Sequence, residues 1–287
     1  EHKGGKLICH YCGYQEPKPK VCPKCGSRYI SGFRAGTQQI EEKLKEMFPE
    51  VRTLRMDADT TRTKESYEQI LSAFADGEAD VLIGTQMIVK GHDFPKVTLV
   101  GVLAADLSLS VGDYRAGERT FQLLTQAVGR AGRGTLPGEA VIQTYQPEHY
   151  AVVYAAEQDY EGFYQEEILY REMMGYPPVA HMLAVQIYGK EEENVKQLAR
   201  RLTDVVKSNM DFLSGKQKEQ SNKKIQVLGP APANISKIND IYRYVFYVKH
   251  AEYDVLVEVK DRLEETLRQW QPRQMSIQFD FDPVSVL

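Results

Sequence analysis

The chain has 287 residues, of which 42% are hydrophobic, 26% charged and 10% aromatic. This is the length of about two domains and the composition of a folded globular protein, which excludes a disordered chain, a collagen-like fibre and a small disulfide-stapled scaffold. The formal net charge is only −4, but residues 1–36 carry seven basic against two acidic side chains. We therefore expect the beginning of the chain to contact anions, and the remainder not to bind nucleic acid through net charge alone.

Signals for export or membrane insertion are absent from the sequence. The longest apolar run, Val97 to Ala105, is far shorter than the roughly 18 to 20 residues that a membrane helix needs. The chain opens with Glu1-His2-Lys3, without a methionine and without the apolar core of a signal peptide. We expect a soluble protein that has no membrane partner and is a piece of a longer chain.

All four cysteines lie close together near the start of the chain. They form two C-x-x-C pairs, Cys9 with Cys12 and Cys22 with Cys25, and a glycine follows each pair. Such pairs aim two thiolates at one point, and four sulfur ligands complete the tetrahedral shell of a structural zinc ion. The alternative is two disulfides in a secreted protein, which we favour less because the long remainder of the chain has no cysteine.

Predicted strands and helices alternate through the middle of the chain. A helix opened by Gly36-Thr37 ends before Pro49, a second spans 60–74, and a third runs from Asp113 to Val128. The strands are predicted at 29–34, 51–56, 80–84, 97–104 and 138–145. This order is typical of an α/β fold with a parallel sheet covered by helices on both faces, whose ligands bind beyond the carboxyl ends of the strands.

The last part of the chain predicts a different architecture. A tyrosine-rich helical stretch at 149–174 ends at Gly175-Tyr176-Pro177-Pro178, which marks a boundary. Beyond it, the order strand, helix, strand, strand, helix, strand is that of a split-βαβ, ferredoxin-like α+β domain. Its predicted strands lie at 182–188, 225–228, 242–248 and 275–281, its helices at 191–213 and 253–270, and a polar loop at 214–224. The predicted domains are a zinc module at 1–28, an α/β lobe at 29–148, a helical connector at 149–178 and the α+β domain at 179–287.

Two arginines among glycines form the first candidate site. In the run from Gln126 to Gly134, QAVGRAGRG, the glycines allow the backbone to come close to a ligand. The guanidinium groups of Arg130 and Arg133 can pair bidentately with phosphate oxygens and stabilise charge in phosphoryl transfer. The alternative is a glycine-rich surface turn with solvated arginines.

Polar residues at the predicted strand ends form the second candidate site. Thr85 and Gln86 follow a buried strand, with Asp93 a short loop away. An aspartate there can accept a ribose hydroxyl, and Thr85 with nearby amides can hold a nucleic-acid phosphate. Thr37 begins a predicted helix whose N–H groups suit a phosphate, although plain helix capping explains it equally well.

A third set of residues lies in the last domain. Lys237, Tyr242, Arg243 and Tyr244 mix basic and aromatic side chains suited to stacking on bases and contacting phosphate. The alternation of the sequence from Tyr242 to Val248 is also that of a half-buried strand, and we favour the strand.

These motifs resemble motifs IV, V and VI of superfamily 2 helicases. With the zinc knuckles, the stretch from Asp113 to Arg119 and the run Phe279 to Pro283, FDFDP, the chain is similar to the primosomal replication-restart family of that superfamily. The resemblance implies a RecA-like second helicase lobe and an S10-like C-terminal domain. It also implies a cytoplasmic, nucleoid-associated 3′→5′ DNA helicase that recognises abandoned replication forks, remodels them with ATP and starts primosome assembly.

The resemblance also assigns roles and partners. Arg130 and Arg133 would face ATP and Mg²⁺ held by a first motor lobe, and Gln126 would couple the nucleotide to DNA. The residues at the nucleotide would be Asp93, which touches the ribose, with Gly91 and Gly129; those near DNA would be Thr37, Thr85, Gln86 and Lys90. The partners would be forked or branched DNA, single-stranded DNA, primosome proteins and the single-strand-binding protein.

The sequence departs from a complete helicase in two respects. It contains neither G-x-x-x-x-G-K-[ST] nor an Asp-Glu pair, so we expect this chain to be the C-terminal part of the enzyme and inactive alone as an ATPase. The family has eight cysteines for two zinc ions, and four are present here, so one zinc site or parts of two remain open. The alternative function is a non-enzymatic zinc-containing adaptor for nucleic acid or protein, with a degenerate helicase lobe as its scaffold.

Overall fold

The computed structural model describes residues 2–3, 6–8, 14–17, 19–21, 26, 36–57, 60–61, 63–89, 94–208 and 224–284. The chain divides into two compact units. One, the lobe unit, comprises Ser27–Ser110 and Gly117–Phe163. The other, the C-terminal unit, comprises Glu1–Gly26, Val111–Ala116 and Tyr164–Leu287. The predicted strand at 29–34 and most of the predicted polar loop, 214–223, lie outside the described residues.

Short antiparallel strands begin the chain, and parallel pairs follow in the lobe unit. The first three strands, which form one sheet in the order β1-β2-β3, are β1 (His2–Lys3), β2 (Lys6–Ile8) and β3 (Gln15–Pro17). The strands of the lobe unit are β4 (Thr53–Met56), β5 (Val81–Gly84), β6 (Leu99–Val102) and β7 (Glu139–Ile142). Strand β4 pairs in parallel with β5, and β6 pairs in parallel with β7. The predicted parallel pairing is confirmed; in the described part of the chain it forms two separate two-stranded sheets.

Helices connect and flank these strands. They are α1 (Thr37–Met47), α2 (Lys64–Asp76), α3 (Asp106–Leu109), α4 (Ala116–Val128), α5 (Tyr150–Glu157) and α6 (Tyr160–Met174). A core of buried apolar side chains from α4, α5 and α6 packs with Val102 and Ile142 of the strands. Its buried members are Ala105, Phe121, Leu124, Ala151, Val152, Ala155 and Phe163. This core orients α4, whose end leads into the arginine-containing loop.

Helix α2 begins later than the sequence predicts. Its N-cap is Thr63, whose side chain accepts a hydrogen bond from the Ser66 amide in a capping box. The predicted start at Thr60 is wrong because the amide of Thr60 donates to the Asp57 side chain at 3.1 Å and the hydroxyl of Thr61 donates to the Asp57 carbonyl at 2.6 Å. These bonds tie Thr60 and Thr61 back to Asp57, so the helix forms only after them. The helix ends at Asp76, two residues beyond the predicted Phe74, and Gly77 follows in the left-handed conformation with φ 83°.

The helical stretch predicted at 149–174 is two helices. Gln158 adopts the left-handed conformation, with φ 56°, and ends α5. The Asp159 amide then donates to the Tyr154 carbonyl at 2.9 Å, and the Asp159 side chain accepts a hydrogen bond from the Gly162 amide at 2.9 Å. The aspartate therefore closes one helix and starts the next, a boundary that the apolar periodicity does not reveal.

The C-terminal unit contains the predicted α+β order. Its elements are β8 (His181–Gly189), α7 (Glu192–Ser208), β9 (Gln226–Ile238), β10 (Ile241–His250), α8 (Tyr253–Trp270) and β11 (Met275–Phe281). The sheet has the order β11-β8-β10-β9, and all neighbours are antiparallel. The split-βαβ prediction is confirmed. Strand β9 is longer than predicted because it pairs with β10 across two register shifts, and Asn239 and Asp240, both with positive φ, make the turn.

Both faces of this sheet contribute to apolar cores. One face, with Leu183, Val185 and Phe246, packs against α7 and α8. Alternate residues point the other way, so Met182, Ala184 and the neighbouring aromatic residues form a second cluster. That second cluster consists of Tyr114, Tyr176, Met182, Ala184, Val245 and Tyr247. In the described part of the chain, no helix is both long and apolar enough to cross a membrane.

Candidate functional site

The arginine-containing loop continues directly from the last turn of α4. Gln126 lies exposed in that turn. The helical hydrogen bonding extends a little beyond the helix, because the Gly129 amide donates to the Thr125 carbonyl and the Arg130 amide to the Ala127 carbonyl, each at 3.0 Å. The end of α4 therefore fixes the backbone from which Arg130 departs.

The glycines of this loop allow one stretch of backbone to lie against another. Gly132 has φ +71°, and its amide donates to the Val97 carbonyl at 3.0 Å. A Cβ atom at Gly132 would lie 2.7 Å from the Gly138 nitrogen, and one at Gly134 would lie 2.1 Å from the Pro95 carbonyl oxygen. The sequence predicted that these glycines let a ligand come close to the backbone. In the structure, the protein's own backbone lies there instead and holds the loop beside the segment before β6.

The two arginines differ in exposure. Arg130 is half-buried, and Arg133 is exposed. The Nε of Arg133 donates to the Gly129 carbonyl at 2.6 Å, which holds the side chain along the loop and uses one of the N–H donors of its guanidinium. The structure thus brings Gln126, Gly129, Arg130 and Arg133 together in one turn and loop, as their sequence spacing predicts.

Thr85 and Gln86 occupy the carboxyl end of β5. Both are exposed, and a single 3₁₀ turn, Gln86–Val89, follows the strand. The preceding Gly84 lies so close to β4 that a Cβ atom would come within 2.5 Å of the Met56 carbonyl oxygen. Lys90, Gly91 and Asp93, the other predicted residues of this motif, lie outside the described residues.

A hydroxyl and carboxylate cluster lies at the carboxyl end of β4, and the sequence analysis did not single it out. Asp57 is 9% exposed and accepts a hydrogen bond from the Thr37 hydroxyl at 2.5 Å. The same carboxylate lies 2.9 Å from the Nε of Arg55 and also holds the Thr60 amide. The signal that could have revealed it is an aspartate at a strand end followed by paired threonines, a typical side-chain turn.

This cluster changes the interpretation of Thr37. Thr37 is the first residue of α1, after the N-cap Gly36, and no side chain caps the helix. The Thr37 hydroxyl is directed to Asp57 instead, so plain side-chain capping does not explain it. Thr37 links the start of α1 to the end of β4, at the edge of the sheet where Thr85 also emerges from the parallel neighbour β5.

Asp106 joins the carboxyl ends of β6 and β7. Its side chain accepts hydrogen bonds from the Thr144 hydroxyl at 2.7 Å and from the Tyr145 amide at 2.9 Å. Burial alone would raise the pKa of Asp106, but the hydrogen bonds from Thr144 and Tyr145 outweigh it and lower that pKa below its ordinary value. The Asp106 carboxylate therefore stays ionised. Its hydrogen bond from the Tyr145 amide fixes the backbone of Tyr145, whose side chain is 83% exposed.

The basic and aromatic residues of the last domain belong to its sheet. Tyr244 is 8% exposed and packs in the core beneath α7. The Nζ of Lys237 lies 2.8 Å from an Asp240 oxygen and 4.8 Å from the centre of the Tyr242 ring. The preference for a strand at 242–248 is confirmed by β10.

The predicted metal site cannot be placed on these elements. Cys9, Cys12, Cys22 and Cys25 lie outside the described residues. Within the residues that the structure does describe, no three His, Cys, Asp or Glu side chains form a group that could hold a metal ion.

Comparison with known proteins matches both units of the chain. Residues 28–135 match the family model of the helicase conserved C-terminal domain, and residues 172–284 match the primosomal protein N C-terminal domain. Similar curated proteins are the replication restart proteins PriA of Bacillus subtilis, 41% identical over 99% of this chain, and of Synechocystis, 39% identical over 98%. The chain covers 34% and 32% of those two proteins, so it spans about a third of their length. A solved structure, the de novo designed Foldit4, has a TM-score of only 0.25 and 12% identity, too low to support an argument.

The helicase match defines the class of protein, because it covers the parallel strands, Thr85 and the arginine-containing loop. The lobe is therefore the C-terminal domain of a helicase-type motor. With the second model and the relatives, the match becomes narrower: along nearly its whole length the chain is similar to the replication restart protein PriA, and residues 172–284 match the C-terminal domain of primosomal protein N.

Proposed function

We propose that this chain provides the second motor lobe and the C-terminal domain of an ATP-dependent 3′→5′ DNA helicase that remodels stalled replication forks and starts primosome assembly. The single observation that carries the proposal is the loop after α4, which holds Gln126, Arg130 and Arg133 together on a backbone clamped by glycines. A half-buried and an exposed guanidinium group on a rigid loop suit the charge that develops on a transferred phosphoryl group.

In this proposal, each group has a defined task. Arg130 and Arg133 neutralise phosphate charge on an ATP and Mg²⁺ bound mainly by a first lobe, with Asp93, Gly91 and Gly129 beside the nucleotide. Thr37, Thr85, Gln86 and Lys90 contact the DNA backbone, and Gln126 connects the two sites. Thr37 is bonded to Asp57 at the end of β4, and Thr85 follows the neighbouring strand β5. Both residues therefore lie at one edge of the sheet, which supports a shared DNA path.

The experiment is ATP hydrolysis by the protein at the full length of its relatives. Arg133→Ala should reduce DNA-stimulated hydrolysis by about a thousandfold, the usual effect of removing an arginine finger, while nucleotide binding is retained. Arg133→Lys is the matched variant, and it should recover little because a lysine lacks the planar fork. Unchanged turnover of Arg133→Ala would remove this role.

The chain by itself should not hydrolyse ATP, because its sequence has no phosphate-binding G-x-x-x-x-G-K-[ST] loop. Its contribution to DNA recognition is tested by fluorescence-anisotropy titration with forked, duplex and single-stranded DNA at two salt concentrations. Preference for the fork with a steep salt dependence would locate structure recognition in this part of the protein. If the chain does not bind DNA, its proposed roles are to complete the ATP site and to bind primosome proteins or the single-strand-binding protein.

We also propose that Cys9, Cys12, Cys22 and Cys25 bind a structural zinc ion. The support is the donor set itself, since two C-x-x-C pairs provide four thiolates for a closed tetrahedral shell. Elemental analysis should find about one zinc per chain and less after Cys22→Ser. A chain without zinc that contains two disulfides under non-reducing conditions would contradict the assignment.

A further inference from the structure

A short segment of the chain belongs to a different unit from the residues on either side of it. Val111–Ala116 is part of the C-terminal unit, whereas Ser27–Ser110 and Gly117–Phe163 are part of the lobe unit. Helix α4 begins at the last residue of this segment. The contacts that hold the segment therefore hold the start of the helix that leads to the arginines.

Tyr114 is the residue by which the segment is anchored. It is 8% exposed, and its ring stacks on Tyr176 with centroids 5.1 Å apart and planes at 13°. The guanidinium carbon of Arg171 lies 5.4 Å from the centre of the Tyr114 ring, and the hydroxyl donates to the Pro283 carbonyl at 3.2 Å. A stacked ring, a cation over an aromatic face and a buried hydrogen bond thus converge on one side chain.

The partners of Tyr114 are themselves fixed. Arg171 forms a buried ion pair with Glu167 at 2.6 Å and donates to the Pro177 carbonyl at 3.0 Å. The Nζ of Lys249 lies 4.0 Å from the centre of the Tyr176 ring. Breaking such buried, paired groups is costly, so the binding position for Tyr114 is rigid.

Tyr114 lies only two residues before Ala116, the first residue of α4. The Arg115 amide donates to the Asp113 side chain at 2.9 Å, and the Ala116 amide donates to the Asp113 carbonyl at 3.0 Å. Helix α4 has 13 residues, about 20 Å at the usual rise, and ends immediately before Gly129. A helix of this length transmits a displacement of its first turn to its last turn.

We propose that Tyr114 is a positioning residue for the ATP site, because its contacts fix the start of α4 and hence the position of Gln126, Arg130 and Arg133. The inference rests on the proposed function, because it assigns a task to the arginines that the helicase proposal places at the nucleotide. Release of Tyr114 lets the start of α4 move and misplaces the guanidinium groups while leaving the rest of the nucleotide contacts in place. It therefore lowers kcat and leaves the KM for ATP nearly unchanged.

The first measurement is steady-state, DNA-stimulated ATP hydrolysis by the full-length protein. Tyr114→Ala should lower kcat at least fivefold with less than a twofold change in KM. Tyr114→Phe keeps the ring contacts with Tyr176 and Arg171, and its kcat should stay within about twofold of the wild-type value. Leu263→Ala is the matched control, since it removes a fully buried side chain of the same unit remote from Tyr114's cluster and should leave kcat unchanged below its unfolding temperature.

The second measurement is limited proteolysis, which tests without ATP whether Tyr114 holds the segment 111–116 in place. Trypsin should cleave after Arg115 at least tenfold faster in Tyr114→Ala than in the wild type or in Tyr114→Phe, with the site identified by mass spectrometry. If Tyr114→Ala does not fold, Tyr114→Leu, which keeps apolar volume but lacks the ring and hydroxyl, replaces it in both measurements.

The outcomes separate this inference from the helicase proposal. Faster cleavage together with a selective loss of kcat supports the inference. Faster cleavage with normal kcat, unchanged cleavage, or an equal loss of kcat in Leu263→Ala each overturns it and leaves the helicase proposal standing. A wild-type protein that does not hydrolyse ATP overturns both, although the cleavage result still reports whether Tyr114 is the anchor.

Discussion

At the scale of single residues, close backbone packing determines the shape of the loop that holds the arginines. Gly132 combines a positive φ with an amide that donates to the Val97 carbonyl, and a Cβ atom added to it would lie only 2.7 Å from the Gly138 nitrogen. The sequence predicts that the glycines allow a close approach to the loop backbone. It does not predict that the approaching group is the backbone at 95–97 and 138, because folding alone brings those residues to the loop.

Gly132→Ala should therefore lower the free energy of unfolding by about 1–3 kcal/mol, since it adds a strained backbone conformation to a steric clash. Urea denaturation followed by circular dichroism measures the change. The control is Gly101→Ala, where a Cβ atom meets nothing within 4 Å and the expected change is less than about 0.5 kcal/mol. Equal effects of the two substitutions would show that the loop is not clamped at Gly132.

Burial of a tyrosine makes the C-terminal unit sensitive to alkaline pH. Burial raises the pKa of Tyr244 from 10.0 to about 12, and the nearby Glu192 carboxylate adds to that rise. In the unfolded chain the Tyr244 hydroxyl loses its proton near pH 10, whereas in the folded chain it keeps the proton until about pH 12. The stabilising contribution is thus complete below pH 10 and is lost as the pH rises from 10 to 12.

We expect the free energy of unfolding to fall across that interval, and to fall less steeply in Tyr244→Phe. Denaturation at a series of pH values measures the slope, and tyrosinate absorbance of the folded protein measures the titration. Complete ionisation of all tyrosines near pH 10 while the protein remains folded would contradict the predicted burial.

At the scale of elements, the ends of helices and strands show what local sequence can specify. Helix α8 and strand β11 have the predicted bounds, 253–270 and 275–281. In contrast, the hydrogen bonds of Thr60 and Thr61 to Asp57 delay the start of α2, and Asp159 divides the stretch from 149 to 174. Periodicity predicts that a helix exists, but side-chain hydrogen bonds to the backbone decide where it begins.

Helix α2 provides a direct test of this point. Thr63→Ala removes the acceptor for the Ser66 amide and should cost about 1 kcal/mol of unfolding free energy. Thr63→Ser retains the hydroxyl and should stay close to the wild type. Chemical denaturation compares the three proteins, and equal stability of the alanine and serine variants would show that the capping box does not stabilise the helix.

At the scale of the whole molecule, two units with separate apolar cores share one chain. The core of the lobe unit is formed by α4, α5 and α6, and the main core of the C-terminal unit by its sheet with α7 and α8. The single tryptophan, Trp270, packs against the latter core, and the Arg201 guanidinium lies 3.9 Å from the centre of its ring. Tryptophan fluorescence therefore reports on the C-terminal unit alone.

Denaturation followed by tryptophan fluorescence and by far-ultraviolet circular dichroism should give curves that do not coincide, because only the second method detects the lobe unit. Coincident curves would mean that the units unfold as one. Trp270→Phe, which lacks the fluorescence signal, should leave the circular dichroism curve nearly unchanged and serves as the control.

The sequence by itself determined the alternation of strands and helices, the split-βαβ order, the cluster of cysteines and the arginine-containing motif. These are encoded locally, in periodicity, spacing and residue type. Only the tertiary structure decided that Thr37 reaches Asp57, that the loop glycines pack on backbone, and that Tyr114 packs with Tyr176 and Pro283 of its own unit. The physical reason is that these contacts join residues far apart in the chain, and their energies depend on packing and hydrogen-bond geometry that no local pattern contains.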